Sequence, residues 1–310
     1  MEHRHLRYFL AVAEASSFNK AAAQLRIAQP ALSRQIQDLE DEIGVNLLRR
    51  GPRGATLTAE GKLFLDEVRE LLKRTYESVE KVRALARGEF GELRVGYMAN
   101  STVEILPSGL VAFRKSVPRV NVSLYDLLSD EIFARLRNGT LELAIIAKLN
   151  SVEVTGIDFE LLRTYPLCAV LNTAHPFARL KSIPLERFFA EPLVGLRYPR
   201  CHRDIDRIFA PIVIKPRIEV QCDTISSLLV EVEAGRGIAL SIALPVPSSK
   251  LVKGKRLLYR PLSGTAESVS IGIARATKGD ITPAGERFCE ILRETSKRVI
   301  SAKPKLTKSD

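Results

Sequence analysis

Ser17-Phe18-Asn19-Lys20-Ala21-Ala22-Ala23-Gln24-Leu25-Arg26-Ile27-Ala28-Gln29-Pro30-Ala31-Leu32-Ser33-Arg34-Gln35-Ile36-Gln37-Asp38-Leu39-Glu40 is the decisive stretch of this 310-residue chain. Ser17 is placed to cap a helix over Phe18–Leu25, because its side-chain oxygen accepts from N–H groups that a first turn leaves unpaired. Ala21, Ala22 and Ala23 are small enough to admit a close neighbouring helix. Arg26-Ile27-Ala28 reads as a three-residue break, and Pro30 sits where a first-turn proline starts the next helix. Leu32, Ile36, Leu39 and Ile43 recur at helical spacing as a buried stripe, and Gly44 ends it. The opposite face carries Gln29, Pro30, Ser33, Arg34 and Gln37. Such short polar and bidentate side chains suit base edges and phosphates in a major groove, although a solvated face of a small bundle has the same composition.

Working outward, Leu6, Phe9, Leu10 and Ala13 define an earlier short helix. On the other side, the run from Leu47 to Thr58 sets basic and turn-forming residues between two apolar edges. It predicts a short β-hairpin wing, with Arg53 at the tip for a minor groove and Arg49 and Arg50 near phosphates. An ordinary charged turn is the other reading. A helix-turn-helix followed by a basic wing is more specific than either part alone.

Four strings in this region resemble the LysR-type transcriptional regulators: Phe18-Asn19-Lys20-Ala21-Ala22, Gln29-Pro30-Ala31-Leu32-Ser33-Arg34-Gln35-Ile36, Leu39-Glu40 and Leu57-Thr58-Ala59-Glu60-Gly61. The opening, Arg4-His5-Leu6-Arg7-Tyr8-Phe9-Leu10-Ala11-Val12, is most similar to the subgroup that controls aromatic-compound and muconate catabolism. The strong match covers about residues 1–65. The resemblance implies a sequence-specific regulator that binds double-stranded promoter DNA and works with RNA polymerase. It puts Gln29, Pro30, Ser33 and Arg34 on recognition-helix contacts and Arg53 on the wing, and Gln37 and Arg50 join them as DNA-binding candidates.

Length alone suggests about two domains. The apolar fraction of 45% and charged fraction of 27% are ordinary for a folded soluble protein and exclude a wholly disordered chain. No run of 18 apolar residues occurs, and the N-terminal segment lacks an apolar core with a cleavage site, so a cytoplasmic protein is expected, with no membrane partner. The net charge of +11 favours an anionic partner without naming it. Cys168, Cys201, Cys222 and Cys289 form no CxxC pair, so buried reduced thiols are expected rather than disulfides or zinc. Neither cofactor nor metal is called for.

Residues 1–58 therefore read as a winged helix-turn-helix domain and 59–87 as a linker helix. Within the linker, Leu65, Val68, Leu72, Thr75, Val79, Val82 and Ala86 are spaced alternately by three and four, a seam that needs covering. Packing onto its own domain is possible, but so long a seam favours dimerisation through Leu65, Val68, Leu72, Val79 and Val82. The resemblance implies an antiparallel linker pair, and a homotetramer completed by the C-terminal domains. Gly88 and Gly91 mark a hinge. From 92 to 300, strand candidates at Leu93–Gly96, Val120–Tyr125, Leu141–Ala147, Leu167–Leu171, Leu193–Leu196, Ile218–Val220, Ile238–Ile242 and Val269–Ala274 alternate with helical stretches, predicting an α/β domain with mostly parallel sheet. The resemblance implies an effector domain of two lobes like periplasmic binding proteins, lobe I about 92–161 and 267–300 and lobe II about 162–266. Residues 301–310 read as a basic disordered tail.

In such lobes, helix N-termini facing a cleft favour anions. Asn100-Ser101-Thr102, Ser129, and Thr224 with Ser226 fall at strand-to-helix junctions, where each is either a cap or a ligand contact. These positions coincide with effector-contacting places in the family. Lys148, Arg197 and Tyr198 are candidates for the rest of a pocket that takes a small organic anion, most simply a carboxylate. His175 in Thr173-Ala174-His175-Pro176 resembles a common family turn and is assigned no chemistry. An enzyme built on the α/β region would need a nucleophile–base pair or metal cluster; with four histidines and neither GxSxG nor HExxH, no catalytic residue is named. A nucleoid-type DNA-binding protein without effector control is the other rival, separated by its ratio of specific to non-specific affinity.

Overall fold

The first three helices, α1 (His3–Ala15), α2 (Phe18–Leu25) and α3 (Gln29–Ile43), each bury one apolar face against the others. Phe9, Val12, Ala21, Leu32, Ile36 and Leu39 are fully enclosed there. The computed structural model describes residues 1–51, 54–98, 102, 105–212, 216–242 and 256–301. It divides into two compact units, Met1–Leu85 and Ala86–Asp310. Ser17 caps α2, its side chain accepting from the Lys20 N–H at 3.4 Å. Arg26 closes α2 in the left-handed region at φ 56°, its N–H returning to the carbonyls of Ala22 and Ala23, which makes the tight turn into α3. Pro30 lies in the first turn of α3, where no N–H is needed. A hairpin follows, β1 (Leu48–Gly51) antiparallel to β2 (Gly54–Leu57), with Leu48 opposite Leu57. Arg53, at its tip, lies outside the described residues.

The Leu57–Gly61 string starts α4 (Ala59–Ala86). Thr58 Oγ1 accepts from the Gly61 N–H at 2.8 Å and donates to the Asn46 carbonyl at 2.8 Å. A Cβ at residue 61 would stand 1.9 Å from the Leu47 carbonyl oxygen, so only glycine lets the helix approach this closely. The apolar seam along α4 divides in two, which corrects its assignment as a wholly intermolecular surface. Leu65 and Val68 are buried in the core of α1–α3, and Leu72 is packed against its edge. Further along, Tyr76, Val79, Val82 and Leu85 are exposed. The first part is already covered by its own domain because α4 begins directly beneath the bundle.

The second unit contains β3 (Gly91–Tyr97), α5 (Leu106–Ser116), β4 (Val120–Asp126), α6 (Ser129–Arg137), β5 (Leu143–Leu149), β6 (Ile157–Asn172), β7 (Ile183–Pro184), β8 (Leu193–Leu196), α7 (Pro199–Ile208), β9 (Ile218–Cys222), α8 (Ile225–Glu233), β10 (Ala239–Ile242), β11 (Leu257–Ser263), β12 (Ser268–Ala276) and α9 (Pro283–Ser301). One sheet runs β4-β3-β5-β12-β6-β11-β7, with β10 also on β6; β8 and β9 pair beside it. Residues 157–166 of β6 pair with β12, whereas residues 167–172 pair with β10 and β11. A single strand thus belongs to both lobes, and a boundary at 161/162 falls inside it.

The sheet is mixed rather than mostly parallel. The β3–β4, β3–β5, β8–β9 and β7–β11 pairs are parallel, but every strand lying on β6 is antiparallel to it. The chain crosses between lobes on β6 and returns on β11 and β12, which run beside it in the opposite direction. Leu93, Val95, Phe113, Ile145, Ile271 and Phe288 fill the core of lobe I; Ala169, Leu171, Phe188, Phe209 and Ile238 fill that of lobe II. α7 begins at Pro199, where a first-turn proline needs no N–H partner. Among the described residues, no helix is long and apolar enough to cross a membrane. The proposed basic tail lies outside the described residues beyond 301.

Candidate functional site

The α3 face opposite the buried stripe is open: Pro30, Arg34 and Gln37 are exposed, and Gln29 and Ser33 half-buried. Arg50 on β1 donates from Nη1 to Ser33 Oγ at 2.7 Å and stacks its guanidinium 4.9 Å from the centre of the Phe18 ring. These contacts tie the wing to both helices of the helix-turn-helix. At the other end of α3, Glu40 Oε1 accepts from the Leu47 and Leu48 N–H groups at 2.7 and 2.9 Å, fixing where the hairpin leaves the helix. His5 contributes from α1, its Nε2 lying 3.2 Å from Gln35 Oε1. Glu40 and His5 were not foreseen as positioning residues, although the Leu39-Glu40 pair was visible as a motif.

In the second unit, Thr102 and Ser129 converge on Met98. Thr102, almost completely buried, donates to the Met98 carbonyl at 3.1 Å. Ser129 Oγ lies 3.7 Å from the Met98 sulfur, a weak acceptor. Ser129 is the first residue of α6 and Leu128 its cap, so the Ser129 hydroxyl is not consumed by capping. Asn100 and Ser101 lie outside the described residues. Thr224, by contrast, is the cap of α8: its Oγ1 accepts from the Ser227 N–H at 3.1 Å, and Ser226 is exposed beside it.

Lys148, at the end of β5, donates to the Val152 carbonyl at 2.6 Å and sits 4.7 Å over the Phe159 ring. Burial holds its ammonium below the usual lysine range, with Arg200 adding to that effect and Glu153 opposing it. Arg197 and Tyr198 are engaged within lobe II. Arg197 Nε is 3.3 Å from Asp223 Oδ1, and the Tyr198 hydroxyl donates to the Asp223 carbonyl. The structure therefore brings Thr102 and Ser129 together on Met98 and sets Lys148 apart on Val152 and Phe159. On lobe II, Arg197 and Tyr198 precede α7, and Thr224 and Ser226 stand at the start of α8.

Arg200 was missed by the sequence reading. It reaches from α7 to α6, its guanidinium 5.0 Å from the centre of the Phe133 ring and its Nη1 3.8 Å from Asp130 Oδ1. Leu193–Leu196 followed by Pro199 is the available signal, since a proline just after a strand starts a helix there and places Arg200 in its first turn. His175 is a turn residue: Nδ1 accepts from the Phe177 N–H at 3.1 Å, and Nε2 lies 3.2 Å from Glu191.

Comparisons with known proteins cover both units. The family model "Bacterial regulatory helix-turn-helix protein, lysR family" matches residues 3–62, and "LysR substrate binding domain" matches residues 86–297. The HTH-type transcriptional regulator TcbR of Pseudomonas sp. (strain P51) is 31% identical over 311 residues, covering 96% of this chain and all of that protein. The Hca operon transcriptional activator HcaR of Escherichia coli (strain K12) is 32% identical over 302 residues, covering 95% of this chain and 98% of its own length. The crystal structure of full-length CbnR complexed with its target DNA superposes with a TM-score of 0.76 at 30% identity, covering 96% of this chain and 100% of that one. With its helix-turn-helix DNA-binding region and α/β effector-binding domain, the chain belongs to the LysR family of transcriptional regulators.

Proposed function

We propose that this regulator reads double-stranded promoter DNA through Gln29, Pro30, Ser33, Arg34 and Gln37, with Arg50 and Arg53 on the wing, and that a small organic anion changes how it bends that DNA. It acts in the cytoplasm as a homodimer that assembles into a homotetramer, beside RNA polymerase, by binding and without catalysis. The observation that carries this reading is the open polar face of α3, locked to a basic hairpin by the Arg50–Ser33 hydrogen bond. Arg34 is exposed in the middle of that face, where its forked donors suit a guanine edge or a phosphate. Arg34→Ala is expected to cost about 1–3 kcal/mol on the specific site if it makes a bidentate base contact. Fluorescence anisotropy on specific and scrambled duplexes across a salt series measures it. Unchanged affinity on both duplexes overturns the assignment.

Thr102, Ser129 and Lys148 on lobe I, with Arg197, Tyr198, Thr224 and Ser226 on lobe II, are the proposed effector contacts, together with Asn100 and Ser101. The ligand is a carboxylate, because a hydroxyl at the start of α6, the helix N–H groups behind it and nearby cations all favour negative charge. A ligand shifts the assembly only through different affinities for its two arrangements, so it must change how the lobes meet. Calorimetry of the full chain against aromatic acids, muconates and aliphatic carboxylates should find a binder whose affinity falls about tenfold in Ser129→Ala, the loss of one charge-assisted hydrogen bond. An acid that binds the variant as tightly as the wild type places the pocket elsewhere.

A further inference from the structure

We propose that Arg200 is a latch between the two lobes, held across the cleft by Asp130, and that the carboxylate of the effector displaces Asp130 from it. The second half rests on the reading of the cleft as an anion site; the first half does not.

Arg200 stands in the first turn of α7 on lobe II, yet its guanidinium lies against α6 of lobe I, over Phe133 and beside Asp130. Its side chain is only 14% exposed, whereas that of Asp130 is 61% exposed. Arg200 Nη2 is buried with no hydrogen-bond partner among the described residues. The 3.8 Å separation from Asp130 is too long for a hydrogen bond, so the pairing is electrostatic and incomplete. Arg203 shares the same carboxylate at 4.0 Å. A guanidinium offers five donors in a planar fork that fits a carboxylate bidentately, and burying one without such a partner is costly.

Other charged groups do not supply that partner. Asp204, one turn along α7, is held above the usual carboxylate range by burial, with Arg200, Arg207 and Arg203 opposing. No ion pair within 4.0 Å joins it to Arg200 among the described residues. Lys148 adds a second cation close enough to interact with Arg200. Asp130, which Arg200 faces, follows Ser129 directly in the first turn of α6, and on this proposal an anion received there is drawn toward the unpaired Nη2. The exchange replaces a loose side-chain contact between lobes by a carboxylate that bridges them. Asp130 then acts as an internal competitor that sets the concentration at which the effector takes hold.

Cys201 supplies a native reporter. It adjoins Arg200 and is half-buried, while Cys168, Cys222 and Cys289 are buried. Burial pushes its thiol up to about 11; Asp204 and Asp130 add to this and Arg200 opposes it. Removing the Arg200 charge alone would raise that thiol further and slow its reaction. Opening the lobes would do the reverse. Labelling of the full chain by Ellman's reagent, with Cys201→Ser identifying the signal, is therefore expected to be several-fold faster in Arg200→Gln than in the wild type. An equal or slower rate overturns the latch.

The binding arm uses calorimetry with benzoate, muconate, aliphatic carboxylates and, as a neutral isostere, benzamide. An acid that binds the wild type should bind Arg200→Gln about tenfold or more weakly, the loss expected for a charge-assisted pair, and Asp130→Asn more tightly. An acid that binds all three equally overturns the displacement and leaves the anion reading standing. If benzamide binds and no acid does, the anion reading fails and the displacement with it, while the labelling rates decide the latch by themselves.

Discussion

Val68→Glu is expected to unfold the first unit, whereas Val79→Glu combined with Val82→Glu is expected to leave it folded and separate the subunits. All three valines lie on the same seam of α4, and their spacing gives no reason to treat them differently. Val68 is fully enclosed among the side chains of the N-terminal core. A carboxylate there has no partner, and its burial costs several kcal/mol, a large share of the roughly 5–15 kcal/mol that holds an ordinary domain together. Val79 and Val82 are 43% and 68% exposed, so glutamate at either position stays hydrated within one chain. The penalty appears only where a partner helix covers the stripe with Tyr76 and Leu85. Circular dichroism melts and light scattering separate the two cases. A double variant that keeps the wild-type mass would remove α4 from the proposed assembly, and a Val68→Glu chain with the wild-type melt would contradict its burial.

Phe288→Ala is expected to cost about 3–5 kcal/mol in the second unit, the range for emptying a buried aromatic site. Phe288 on α9 is fully buried and meets Phe113 of α5 edge-on, with ring centres 5.1 Å apart at 79°. The neighbouring helices are too close to collapse further: a Cβ on Gly109 of α5 would already stand 2.7 Å from Leu292 Cδ2. A cavity therefore persists where the ring was. The denaturation midpoint of the second unit should fall accordingly, with Phe189→Ala as the contrast, because Phe189 is 51% exposed and such a surface change is worth roughly 0.5 kcal/mol or less. Equal shifts in the two variants would contradict the packing of α9 onto lobe I.

Some of this architecture was legible from short stretches. Ser17, Pro30 and Gly44 marked the ends of α2 and α3 because capping, proline geometry and a left-handed terminal residue act within a single turn. Leu193–Leu196 was readable as a strand because its apolar run is short and bounded by turn-forming residues. The first half of β6 was not foreseen. Between residues 157 and 166 its faces alternate irregularly, because they border the lobe core and solvent rather than one continuous layer. β11 escaped for a similar reason: six of its seven residues are only partly buried, so its sequence lacks a clean apolar side.

The helix-turn-helix, its polar face and the wing were legible in the sequence because caps, turns and apolar spacing act within a few residues, although contacts such as Arg50–Ser33 and His5–Gln35 then lock the pieces together. The three-and-four spacing likewise showed that α4 carries a seam needing cover, and the strand-to-helix junctions that hydroxyl residues stand at the starts of α6 and α8. Which part of that seam the domain's own core covers emerged only from the folded chain, because the same spacing serves a core and a partner helix equally well. The tertiary structure also decided that Thr224 is spent as a cap while the Ser129 hydroxyl is not. The meeting of Arg200 with Asp130 and Phe133 depends on β6 carrying the chain from one lobe to the other, which brings α7 against α6. Local pattern encodes which face of an element is apolar; the partner that face finds is set by the path of the whole chain.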